Sequence, residues 1–134
     1  MGEEAMVKEM LTRQMIEAGT KLIHFLDQAD VVVTASLWLY KPESNIWRLI
    51  IASPEVEANG PKKVYQKIQT ILFKTRENDS GVGLKDISVV ESDDPIILLL
   101  RVAIRTGGGI SGIRFSKNTI NGHFIEDAYI YRMT

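Results

Sequence analysis

The segment IRFSKNTINGHFIEDAYIYR, residues 113–132, decides the fold. Asn121-Gly122 in its centre is a preferred dipeptide of the two-residue type I′ hairpin turn, and the residues on either side alternate between apolar and polar side chains. With that turn, two residues face each other when their numbers add up to the same value as those of Asn121 and Gly122. The segment therefore predicts an antiparallel β-hairpin at the C-terminal end of the chain.

This register joins side chains that suit each other. The predicted pairs are Ile113–Ile130, Phe115–Ala128 and Lys117–Glu126 on one face, and Arg114–Tyr129 and Ser116–Asp127 on the other. Apolar residues meet apolar ones and opposite charges meet, so turn chemistry and cross-strand pairing agree. The alternative is a longer loop that begins near Asn118 and shifts the register.

Two helices and four more strands are predicted upstream of the hairpin. Apolar residues at spacings of three and four predict helices over residues 3–28 and 61–77, with Gly19 expected to kink or split the first. Runs of β-branched, aromatic and other apolar residues predict strands over 31–40, 47–52, 87–91 and 96–105. The last of these is the most apolar segment and is expected to be a central strand that follows a turn at Asp94-Pro95. Residues 78–83 are expected to form the most flexible connection.

The order of these elements is α-β-β-α-β-β-β-β. Because most links between strands are short, neighbouring strands are expected to be antiparallel. The sequence therefore predicts one α+β domain over residues 1–134, with a mainly antiparallel sheet of five to six strands and two amphipathic helices packed on one face of it.

Composition narrows the class of protein without identifying an activity. The 134 residues are 45% apolar and 25% charged, with a formal net charge of -1, which is typical of an ordinary globular protein. The absence of cysteine excludes disulfides, a thiol nucleophile and cysteine-based zinc sites. No apolar run is long enough to span a bilayer. We expect a soluble cytoplasmic protein that is not bound to a membrane and has no metal or cofactor.

The polar face of the predicted hairpin is the first candidate site. Alternation places His123, Asp127, Tyr129 and Tyr131 on one side of their strand, and the register brings Arg114 beside them. An imidazole, a carboxylate, two phenols and a guanidinium are groups that bind phosphate and transfer protons. The first four are therefore candidate catalytic residues, and the alternative is an ordinary solvated or helix-covered sheet face.

The preceding segment supplies further candidate ligand-binding residues. Arg101 and Arg105 share one side of the strand predicted over 96–105, while Gly107 and Gly109 belong, with Gly112, to a G-x-G-x-x-G pattern. A dinucleotide-binding loop of this kind opens a helix, whereas this pattern leads into a predicted strand. A bulged or flexible link explains the glycines more simply.

Two other surfaces suggest partners. Met6, Met10 and Met15 on the first helix are adaptable apolar side chains that suit another protein or a second copy of the chain. On the second helix, a stripe that contains Lys63, Lys67 and Lys74 suits a phosphate backbone, although solvated lysines opposite a buried stripe are the simpler interpretation.

These observations favour a non-catalytic protein-interaction or accessory module of a cytoplasmic system of prokaryotic type, because every catalytic pattern fails in its context. The module is expected to use the first helix or a sheet edge. The alternative is a small enzyme or sensor that acts on a phosphate-containing ligand, such as RNA or a nucleotide, through the polar hairpin face. The sequence leaves open whether the chain is an enzyme.

Overall fold

A five-stranded mixed sheet carries helices on both of its faces in the computed structural model, which describes residues 7–75 and 82–134. The helices are α1 (Arg13–Gln28), α2 (Pro54–Asn59), α3 (Lys62–Thr75) and α4 (Pro95–Ala103). The strands are β1 (Ala35–Lys41), β2 (Ile46–Ala52), β3 (Ile87–Val90), β4 (Ile113–Ile120) and β5 (His123–Met133), and a 3₁₀ turn spans Leu84–Asp86. The strand order is β3-β2-β1-β5-β4, and only β2 and β3 are parallel. The predicted α+β class with a mainly antiparallel sheet is confirmed.

Each face of the sheet has its own apolar core. On the first face, α1 and α3 cover residues such as Trp38 and Tyr131. On the second face, α4 covers residues such as Leu37, Ala128 and Ile130. The two predicted helices correspond to α1 and α3 and cover one face as expected, whereas the cover of the second face by α4 is not predicted, because the sequence of α4 is expected to form a strand.

The C-terminal hairpin forms with the predicted turn. Asn121 has φ 49° and Gly122 has φ 82°, the positive values that a type I′ turn requires at both central positions. The predicted pairs from Ile113–Ile130 to Ser116–Asp127 are present, and Asn118–Ile125 continues the same register. The predicted pairing of Lys117 is wrong, because this residue has φ 51° and is left out of the ladder.

The segment predicted as a central strand over residues 96–105 is helix α4 instead. The side chain of Asp94 accepts a hydrogen bond from the backbone N–H of Ile96 at 3.2 Å, and Pro95 occupies the first helical turn. An Asp cap followed by Pro is a helix start signal as well as a turn signal. In a short run of apolar residues, the pattern of side chains does not distinguish a buried strand from a buried helix.

Helix α1 begins later than predicted. Thr12 caps it by accepting a hydrogen bond from the backbone N–H of Met15 at 3.1 Å, and residues 7–12 are neither helix nor strand. The earlier part of the predicted helix, residues 3–6, lies outside the described residues. The helix continues through Gly19 to Gln28, so it is not split at this glycine.

The remaining boundaries differ in detail. The strand predicted from residue 31 begins at Ala35, and the polar stretch after Ser53 forms the short helix α2. The second predicted helix corresponds to α3, whose predicted end at residue 77 lies outside the described residues, as does most of the connection predicted over 78–83. Among the described residues, no helix has the length and apolar character needed to cross a membrane.

Replacing Asp94 with Ala tests the helical assignment of α4. Loss of a side-chain N-cap costs about 1 kcal/mol of the free energy of unfolding, and Asp94→Asn retains the cap and stability close to wild type. Asp93→Ala is the control, since Asp93 is exposed in the same turn and does not cap the helix. Urea denaturation measures all three, and equal stability of Asp93→Ala and Asp94→Ala would contradict the capped helix.

Candidate functional site

Tyr131, a predicted catalytic residue, is a core residue under α1. Its side chain is fully buried, and its hydroxyl donates to the carbonyl oxygen of Ile16 at 2.6 Å. The same hydroxyl accepts a hydrogen bond from the indole N–H of Trp38 at 3.0 Å. Burial raises the pKa of Tyr131 far above its ordinary value, with the Trp38 hydrogen bond as a smaller opposing effect. A neutral, enclosed phenol of this kind holds α1 on the sheet.

Two glycines make room for the two candidate tyrosines. A Cβ built on Gly19 would overlap the ring and hydroxyl of Tyr131, and one built on Gly112 would meet the hydroxyl of Tyr129. Gly19 is thus required for the close approach of α1 to β5. The sequence predicts a kink or split at Gly19, whereas the structure uses its missing side chain to make room for the ring of Tyr131.

Asp127 is a buried carboxylate at the centre of an ion cluster whose two cations, Arg114 and Lys8, are partly exposed. Arg114 donates to both of its carboxylate oxygens at 2.7 Å, and the ammonium group of Lys8 donates at 2.7 Å. Burial alone would raise the pKa of Asp127, but the hydrogen bonds from Arg114 and Lys8 outweigh this effect and hold the pKa below its ordinary value. The carboxylate is thus ionised and already bound by two cations, so it is poorly placed to accept a proton or a ligand.

The segment of residues 7–12 lies across the edge of this cluster. Asn45, in the turn between β1 and β2, accepts from the backbone N–H of Glu9 at 2.8 Å and donates to the carbonyl oxygen of Val7 at 3.0 Å. The indole N–H of Trp47 donates to the carbonyl oxygen of Glu9 at 2.9 Å, and the ammonium group of Lys8 lies 4.8 Å from the ring centroid of Tyr40. On the predicted polar face, α1 and this segment therefore cover Asp127 and Tyr131, while the side chain of Arg114 stays half exposed.

His123 lies on the other side of the sheet from the remaining candidates. Near the hairpin tip, His123 lines a groove with Pro95, Leu98 and Val102 of α4, on the side where Ile125 joins the second core. Asp127 and Tyr131 face the first core or its edge, so the alternation of side chains changes between Ile125 and Asp127. The prediction that His123 shares their face is wrong, because the distortion at Lys117 interrupts the regular alternation expected from sequence.

The candidates upstream of β4 also lie apart from the hairpin cluster. Arg101 is on α4, where its guanidinium donates to the carbonyl oxygen of Ser92 at 3.3 Å, and Arg105 follows the helix as an exposed residue. Their predicted common strand face does not exist. Gly107 and Gly109 have open space where a Cβ would lie, and neither has a positive φ.

The segment that contains these glycines is attached to β5. The carbonyl oxygen of Gly109 accepts a hydrogen bond from Arg132 at 3.1 Å, and the backbone N–H of Ser111 donates to the carbonyl oxygen of Tyr131. The chain then enters β4 and forms no helix N-terminus that a pyrophosphate would need. The candidate catalytic and ligand-binding residues therefore do not converge on one cavity.

The outer side of α4 is the first surface with a functional character. Only Arg101 is polar in the helix sequence PIILLLRVA, yet Leu98 is 50% exposed and Val102 is 64% exposed. Ile96 and Leu99 are half-buried beside them, and Asn121 and His123 of the hairpin tip complete the groove. We call Leu98, Val102, Ile96 and Leu99 the α4 surface. The sequence does not predict this surface, because residues 96–105 are expected to form a central strand and not a helix with an exposed side.

A groove between α3 and the end of α1 is the second such surface. Its volume is about 520 Å³, and we call it the α3 groove. The lining residues are Ala29, Lys63, Gln66, Lys67, Thr70, Ile71 and Lys74. The lysine stripe predicted from sequence thus lines a concave surface with Ala29 and Ile71 as its apolar part. The described residues contain no cluster of His, Asp or Glu that could hold a metal ion.

Gly19→Ala tests the contact between α1 and β5. Alanine favours an isolated helix over glycine by about 1 kcal/mol, but overlap with Tyr131 should reverse this gain and leave the protein about 2 kcal/mol less stable. Gly108→Ala is the control, because a Cβ there meets nothing within 4 Å. Thermal and urea unfolding compare the two variants, and a stabilised Gly19→Ala protein would contradict the contact.

The pH dependence of stability tests the ion cluster. The folded pKa of Asp127 is lowered, so its contribution is fully present above the ordinary carboxyl pKa and is lost as pH falls through the folded value. Asp127→Asn should therefore be less stable than wild type near neutral pH, with a smaller loss of stability on acidification. Urea midpoints measured from neutral to acidic pH check this. A variant whose stability falls in parallel with that of wild type would argue against the cluster.

Comparisons of the chain with protein-family models, with curated proteins and with solved structures found no match. No activity, ligand or partner is therefore transferred from another protein. The α4 surface and the α3 groove are the features of the described residues from which a function is proposed.

Proposed function

We propose that the chain is a non-catalytic interaction module that pairs with a second copy of itself through the α4 surface. The observation that carries this proposal is a helix that is apolar on almost every side but buried on only one. A helix with apolar residues all round is normally enclosed, and exposed apolar patches mark surfaces that bind other proteins. The proposed class of function is the one expected from sequence, but the proposed interaction surface is on α4 and not on α1.

The first helix offers less free apolar surface than the sequence suggested. Ala18, Leu22 and Ile23 are buried in the first core, and Met15 packs against that core. Met10 is 77% exposed but precedes the helix, and Met6 lies outside the described residues. The apolar side of α1 is therefore already used within the chain.

The sheet edges are also poor surfaces for association. β3 has only four residues, which limits the backbone groups that it can offer. β4 is longer, but Lys117 in its middle is exposed and has a positive φ, and both a charge and an irregular backbone oppose pairing with another strand. Association through a helix surface is favoured over strand addition.

A second copy is the occupant that matches the α4 surface. In a two-fold symmetric contact, the same patch is supplied by both copies, so Leu98 and Val102 meet apolar side chains of the partner. The polar groups of Asn121 and His123 lie at the rim of the groove, as is usual for protein interfaces. The enzyme and sensor alternatives lack this kind of support, since their residues do not converge.

Leu98→Glu tests the proposal by placing a charge in the centre of the contact. We expect the wild-type chain to sediment as a dimer. The variant should dissociate with a dissociation constant at least about a hundredfold higher, because an unpaired charge would be buried. Phe73→Glu is the matched control, since Phe73 is 80% exposed on α3, on the other side of the sheet.

Sedimentation velocity over a concentration series measures association, and circular dichroism checks that each variant is folded. A wild-type chain that remains monomeric at the highest concentration would overturn the proposal. Equal dissociation of Leu98→Glu and Phe73→Glu would place the contact elsewhere.

A further inference from the structure

Three lysines of the α3 groove have no side-chain partner among the described residues. Within residues 7–75 and 82–134, no ion pair or side-chain hydrogen bond involves the ammonium group of Lys63, Lys67 or Lys74. Two carboxylates flank Ala29 in the sequence, and neither lines the groove. Asp27 is bound by Arg132 through both of its oxygens, and Asp30 follows the end of α1. Among the described residues, the lining of the groove therefore carries three positive charges and no negative one, although the chain has a formal net charge of -1.

The spacing of these lysines suits a chain of phosphates. At a rise of about 1.5 Å per residue, Lys63 and Lys74 are about 16 Å apart along the axis of α3. A single phosphate cannot contact lysines at both ends of such a row. Gln66 and Thr70 lie between them in the groove and supply neutral polar groups. An extended ligand with several negative charges fits this arrangement better than a compact anion.

An exposed aromatic ring lies beside the lysine row. Phe73 is 80% exposed and follows Thr70 by three residues, so the two side chains are neighbours on the surface of α3. A phenylalanine that remains exposed to solvent contributes nothing to the stability of the fold. Surfaces that bind single strands combine a positive groove along the backbone with aromatic rings on which bases stack.

We propose that the α3 groove binds single-stranded nucleic acid. Lys63, Lys67 and Lys74 contact phosphates at intervals along the strand, and Phe73 stacks against a base. The site is on the opposite side of the sheet from the α4 surface, so binding here and pairing through α4 are independent.

Fluorescence anisotropy with a labelled oligothymidylate of about 16 nucleotides tests this site in the full chain. Three phosphate contacts predict a plot of log K against log salt concentration with a slope of about -2, and Lys67→Gln should make the slope shallower by about 0.7. Phe73→Leu keeps an apolar side chain but removes the ring, and should weaken binding about tenfold. Lys117→Gln, at an exposed lysine on β4, is the control and should bind like wild type.

Several results would overturn the proposal. Absence of binding at low salt would do so, as would wild-type affinity after joint replacement of the three lysines by glutamine. Binding of duplex DNA with equal affinity would contradict recognition of single strands. Equal competition by inorganic tripolyphosphate, together with wild-type affinity of Phe73→Leu, would assign the groove to free polyphosphate instead.

Discussion

The requirement that both faces of the central strands be covered shapes the rest of the molecule. β5 lies between β1 and β4, and its neighbouring residues Ile130 and Tyr131 point into opposite cores. Tyr131 holds α1 on the first face by donating a hydrogen bond to the carbonyl oxygen of Ile16, while its hydroxyl accepts one from Trp38 of β1. The second face needs its own cover, and α4 provides it. A segment that supplies this cover must be strongly apolar, which explains the composition of residues 95–103.

The same constraint gives the charged residues of β5 a structural role. Asp127 is bound by Arg114 and Lys8, and Arg132 is only 4% exposed. Arg132 donates to Asp27 of α1 and to the carbonyl oxygens of Val33 and Gly109. A buried charge is tolerated when it is paired and hydrogen-bonded, and removal of one partner is costly. These groups connect distant segments of the chain to the sheet, which accounts for polar residues on a strand without invoking a ligand.

The features that could be predicted from sequence are those that depend on local chemistry. The hairpin at Asn121-Gly122 was predicted with most of its register because turn preference and cross-strand pairing are both encoded within twenty residues. Helix α4 was not, since its nine residues are apolar except for Arg101 and have no informative period, and its Asp94 cap also resembles a turn. Asp127 and Tyr131 are covered by Lys8 and Ile16, which lie more than a hundred residues away in the sequence. A single sequence contains no signal for contacts between residues so far apart. The lysine row was predicted, but its concave shape and the neighbouring Phe73 required the packed helices.

The account of function depends on the α4 surface being enclosed in solution. The chain has no native cysteine, so a single cysteine at Val102 can carry one nitroxide spin label per copy. Pulsed dipolar spectroscopy of the labelled Val102→Cys protein should give a short distance between two copies, while the same label at Thr70→Cys, on the α3 groove, should give a longer one. Absence of dipolar coupling at Val102, or a shorter distance between Thr70 labels, would contradict pairing through α4.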